Sequence, residues 1–127
     1  MNFILSLFLS GILLLPQTIS TQADALVVTL KLPKTMKFIQ GAPFQLRFTS
    51  DNPEVIKIKK EIYTSPSESI KVPIQVRVGE AKVKIQGRVS YCPKTEGAEC
   101  FFKQIDMDIP IRVETAGSAQ ILADIDL

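Results

Sequence analysis

A chain of 127 residues, 46% hydrophobic and 22% charged, has the material for a folded domain with one apolar core, and this excludes an intrinsically disordered chain. It contains no histidine, which excludes Ser-His-Asp and Cys-His nucleophilic machinery and the usual zinc sites. The net charge is only +2, far from the basic excess expected of a nucleic-acid binder.

The first fifteen residues, "MNFILSLFLSGILLL", carry no charged side chain and run into Pro16 and a polar stretch ending "QADA" before "LVVTL". An apolar core followed by Ala23-x-Ala25 is the pattern cut by signal peptidase, so a cleavable signal peptide over 1–25 and a mature domain over 26–127 are expected. The apolar block 3–15 is thirteen residues long, short of the roughly 20 needed to cross a bilayer. No stable membrane insertion is expected after cleavage. The expected location is exported, periplasmic or secreted, and in an oxidising compartment a cysteine pair tends to be a disulfide.

Every Lys and Arg lies beyond residue 25, and of the acids only Asp24 precedes it, so the mature chain carries 15 minus 12, or +3. Its cations alternate with apolar residues, as in "VIKIKK" and "AKVKIQGRV", which reads as a solvated sheet face and not as a nucleic-acid surface.

From residue 26 onward the dominant period is two. "LVVTLKL" opens a strand, "APFQLRFTS" places Phe44, Leu46 and Phe48 on one side, and "EVIKIKKEIY" is a shorter run. In "SIKVPIQVRV" residues Ile70, Val72, Ile74, Val76 and Val78 share one face. Pro73 in that strand cannot donate to a ladder, so an edge position or a bulge is expected there. After a turn at "VGEAK", Ala81, Val83, Ile85, Val89 and Tyr91 face the core. Ile105, Met107, Ile109, Ile111 and Val113 repeat the pattern, and a last strand is expected near 121–127. About six or seven short strands with turns between them predict an all-β fold, an immunoglobulin-like antiparallel β-sandwich with a cysteine-bearing hairpin.

The only two cysteines flank a loop in "YCPKTEGAEC". Continuing the alternation puts Cys92 and Cys100 on the polar face, outside the core. If they stand opposite each other, Tyr91 faces Phe101, Val89 faces Lys103 and Gly87 faces Ile105, which keeps like parity on like face. Opposed residues of a non-hydrogen-bonded pair lie about 4.5 Å apart at Cα, within reach of a disulfide. The intervening "PKTEGAE", with Pro93 and Gly97, suits a loop. Phe102 shares the cysteines' parity and is placed to shield the sulfurs or to offer a docking contact, with Tyr91 and Phe101 beside them. As a staple, a bond closing this nine-residue ring contributes about 2.5 kcal/mol; as a surface disulfide it is open to thiolate exchange.

The run from Lys71 to Val113, "KVPIQVRVGEAKVKIQGRVSYCPKTEGAECFFKQIDMDIPIRV", resembles the amino-terminal periplasmic domain family of the thiol:disulfide interchange protein DsbD. It is similar also to the related terminal module of some NHL-repeat, thioredoxin-like proteins. The shared features are a proline-bearing strand, a turn, a strand ending in an aromatic and Cys, a short loop, a second Cys followed by an aromatic or aliphatic residue, and a strand closing in "PIRV". The resemblance implies an immunoglobulin-like fold and electron transfer through a hairpin cysteine pair, here Cys92 and Cys100. The family's disulfide is shielded by an aromatic cap, for which Tyr63 in "EIYTSP" is the candidate. No cofactor is implied.

Asp106 and Asp108 read as solvated charges on a strand's polar face. Cys92, Cys100 and Met107 are soft ligands of the kind Cu(I) prefers, but Met107 has core parity. Two readings follow. One is a redox domain exchanging with a thioredoxin-like partner or another exported protein. The other is a secreted immunoglobulin-like binding or structural module with a permanent staple.

Overall fold

A computed structural model of the chain describes residues 16–95 and 99–127; the apolar block 3–15, and Glu96 and Gly97 of the cysteine loop, lie outside these. The described residues form strands and no helix. In chain order the strands are β1 (Gln17–Ser20), β2 (Ala25–Lys31), β3 (Met36–Lys37), β4 (Phe44–Ser50), β5 (Ile56–Ile58), β6 (Ile62–Tyr63), β7 (Ser69–Val76), β8 (Gly79–Pro93), β9 (Phe101–Glu114) and β10 (Gln120–Asp126). The fold is all-β, as the period-two pattern predicts.

One sheet has the order β1-β9-β8-β4-β6, with β3 pairing β8 beyond the end of β4, and the other has the order β10-β2-β7-β5. Alternation places one face of each strand inside, because successive side chains leave a pleated strand on opposite sides. Phe44, Leu46, Phe48, Val83, Ile85, Val89 and Ile109 from the first sheet join Leu26, Val28, Ile70, Val72, Ile74 and Ile121 from the second in a single apolar cluster.

The sheets are mixed, which corrects the expectation of purely antiparallel pairing. β1 runs parallel to β9 and β10 parallel to β2. β1 precedes the cleavage position expected after Ala25, and it is built into the sheet. Ile19 is fully buried, the Ser20 and Thr21 amides donate to the Ser118 and Glu114 carbonyls, and Ala25 pairs with Pro73.

Pro73 also departs from expectation, since β7 lies inside its sheet and not at an edge. In an antiparallel strand the N–H and C=O of one residue point to the same side. The Ile74 amide donates to the Asp24 carbonyl on the β2 side, while the Pro73 carbonyl accepts from the Lys59 amide on the other. The donor that proline lacks therefore faces Lys59, just past the end of β5 at Ile58, so the only ladder bond given up is the return bond to the Lys59 carbonyl at the end of that short strand. Val78, expected on the inner face, lies past the end of β7 and is exposed.

At Gly87, with φ of 155°, β4 crosses so closely that a Cβ would stand 3.0 Å from the Leu46 Cα and collide with the Gln45 carbonyl. Only glycine fits there without moving a strand.

Candidate functional site: the cysteine hairpin

The β8–β9 hairpin is the longest pairing among the described residues, running through thirteen residue pairs from Gly79 with Val113 to Tyr91 with Phe101. Gly87 stands opposite Ile105, Val89 opposite Lys103 and Tyr91 opposite Phe101, the register expected if the cysteines oppose each other. One step farther, Cys92 and Cys100 are joined in a disulfide with their Cα atoms 4.1 Å apart.

The two cysteines are not equally exposed, and here parity alone misleads. Cys100 is exposed, as its polar-face assignment predicts, but Cys92 is only 3% exposed and its neighbour Ser90 is buried as well. An added strand runs alongside. β3 takes up the edge of β8 at this level, with Lys37 opposite Cys92 and Met36 opposite Pro93. The Lys94 amide then donates to the Thr35 carbonyl at 2.9 Å, which ties the segment before β3 to the start of the cysteine loop.

β3 and β4 behave as one interrupted strand along the same edge of β8, since β4 resumes the pairing with Phe44 opposite Val89. Between them residues 38–43 swing out. Gly41, at φ 89°, makes the reversal that side-chain-bearing residues resist. The Phe38 ring meets Phe44 edge-on at 5.6 Å, anchoring the excursion to the core.

The aromatic residues divide between the two faces. Tyr91 and Phe101 stack on the core-parity side with ring centroids 6.1 Å apart, Tyr91 half-buried and Phe101 half-exposed. Phe102 lies on the cysteine side, opposite Ser90 and 61% exposed, with the Arg88 guanidinium 4.6 Å from its ring centroid. That distance is within cation–π range, so Arg88 and Phe102 hold each other on the open face beside the disulfide.

Tyr63 is not placed to cap the sulfurs. It pairs with Leu46 on the far side of β4 and packs edge-on against Phe48 at 5.4 Å. Burial pushes its hydroxyl above its usual pKa, and that buried oxygen has no hydrogen-bond partner among the described residues. Sequence reasoning missed the segment that does lie beside Cys92, β3 with its flanking loops. Its one visible signal was the lone glycine in "FIQGAP".

Met107 is half-buried against the core, as its parity predicts, and the two sulfurs are bonded to each other. Asp108 faces Lys84 across the strands in an exposed ion pair at 3.8 Å. Pairs of this kind are worth little, so these carboxylates read as solvated charges. No family model matches the chain, and no curated protein matches it.

Proposed function

We propose that this is an exported thiol–disulfide exchange domain with an immunoglobulin-like β-sandwich fold, working through Cys92 and Cys100 with a thioredoxin-like partner. The observation that carries the reading is the asymmetry of the disulfide. Exchange requires a thiolate to approach one sulfur along the S–S axis, so access decides which sulfur is attacked. Cys100 is exposed at the mouth of the hairpin and Cys92 is shut in behind β3.

A partner thiolate attacks Cys100 Sγ. The new S–S bond forms as the Cys92–Cys100 bond breaks, and Cys92 leaves with the electron pair as a thiolate. A second partner thiol then resolves the mixed disulfide, releasing Cys100 as a thiol. Two electrons have passed from the partner's dithiol to the pair, with the proton of its second thiol, and the Cys92 thiolate takes up from water the proton that the attacking thiol had released there. The long ladder beneath holds the cysteines in register in both states, so reduction need not unfold the domain.

The sandwich reading draws support from the two sheets sharing one core and from an N-terminal segment divided between them, β1 in one and β2 in the other. The location outside the cytoplasm draws support from the disulfide and the apolar leader pattern.

A second reading, a permanent staple, has one observation in its favour: the bond simply extends the β8–β9 ladder by one step. The two readings differ in reduction potential. Titration of the purified domain against dithiothreitol or glutathione should give a value well above about −300 mV with the fold retained. A value below that, with unfolding on reduction, would establish the staple and end the redox reading.

A further inference from the structure

Beside the disulfide lies a groove of about 550 Å³, formed where the segment before β3, the loop before β7 and the start of the cysteine loop meet. Its rim carries Lys34, Lys37 and Lys94, all exposed, against one acid, Glu68. The half-buried Met36 and Phe38 also line it. The groove and the disulfide share backbone: Lys37 stands opposite Cys92, and Lys94 lies two residues beyond it. In a chain whose charges otherwise nearly cancel, three cations against one acid around this groove form a local basic field.

We propose that this groove is the docking surface for the exchange partner, and that it selects an acidic segment flanking the partner's reactive cysteine. The inference rests on the exchange reading above and adds to it the chemistry of the partner. A segment seated there would lay apolar residues on Met36 and Phe38 and carboxylates against the three ammonium groups. The adjoining thiol is thereby carried past the hairpin to the open side of Cys100. Glu99, before Cys100, is exposed and opposes the attraction. The balance is positive on the groove side.

The test uses three synthetic monothiol peptides of equal length, with glutamates, serines or lysines on both sides of the cysteine. Each rate of mixed-disulfide formation with the oxidised domain is divided by that peptide's rate with neutral 2-hydroxyethyl disulfide, which removes differences in intrinsic thiol reactivity. At low salt the glutamate peptide should react roughly tenfold faster than the lysine peptide, the scale of electrostatic steering. The gap should close in 0.5 M salt, a concentration chosen to screen beyond about 4–5 Å. In K34E/K37E/K94E the glutamate peptide's rate, relative to that of dithiothreitol on the same variant, should fall about tenfold, and the order of the peptides should reverse.

Wild-type protein alone decides the matter if the variant misfolds, because an unchanged order and a flat salt dependence overturn the docking proposal. If dithiothreitol reduces the pair readily but the peptides are not ranked by charge, only the docking surface is refuted. If dithiothreitol cannot reduce it without unfolding, the exchange reading and the docking surface fall together.

Discussion

Chains beginning at residue 16 and at residue 26 should differ sharply in stability, because the second lacks β1. Ile19 is fully buried between its own sheet and the core, and four residues of β1 pair with Ile111 to Glu114. Removing a buried isoleucine side chain costs about 3 kcal/mol once the cavity is included. The strand's hydrogen bonds add little net, since the β9 groups they release can turn to water. The I19A substitution in the longer chain isolates the packing contribution. For a domain near a hundred residues each kcal/mol moves the melting temperature by about 4–8 °C, so I19A should melt about 12–24 °C lower. The chain from residue 26 should fall at least as far. Thermal unfolding followed by circular dichroism measures all three. If the two chains melt within about 3 °C of each other, on a scale where 1 kcal/mol already moves more than that, β1 is not part of the stable domain. Cleavage after Ala25 would then leave the fold intact. The predicted difference instead places residues 17–25 in the working domain and moves any processing upstream of β1.

G87A should destabilise by at least about 2 kcal/mol in urea, because a Cβ there meets the Gln45 backbone; a change under half of that would mean β4 can shift. With one cysteine removed at a time, C92A should react with Ellman's reagent on the order of ten times faster than C100A, since it leaves the exposed sulfur; equal rates would remove the asymmetry that carries the exchange reading. Y63F should be neutral or stabilising by up to about 1 kcal/mol, because the hydroxyl it removes is buried without a partner. Burial raises the Tyr63 pKa above its usual value of 10.0, so the folded state keeps a proton that the unfolded state loses. That contribution is fully present below pH 10 and declines as pH rises further. Urea midpoints between pH 9 and 11 should therefore fall less steeply in Y63F, and an unaltered slope would show that the hydroxyl is solvated.

Much of the hairpin was legible because the pleat has a strict period of two. Once Val83, Ile85 and Val89 are inside, the shared parity of Cys92 and Cys100 follows, and a register that opposes them keeps like parity on like face. The same rule could not reveal that Cys92 is covered. Burial of a polar-face residue depends on what comes to lie over it, and β3, two residues long, carries no periodic signal. Tyr63 was a reasonable choice of cap by residue type, but its pairing with Leu46 places it on the other side of β4.

By itself the sequence determined the strand class, the inner face of each long strand and the shared parity of the two cysteines, because alternation, turn residues and parity act within a few residues. Tertiary structure decided the rest. Parallel pairing of β1 with β9 and of β2 with β10 joins segments from opposite ends of the chain, and nothing in "QTIS" announces a partner so remote. Pro73 could sit inside a sheet only because β5 stops beside it. The unequal exposure of two sulfurs in one bond, and the basic groove next to them, arise where three separate loops converge, and such convergence has no local spacing in a sequence to mark it.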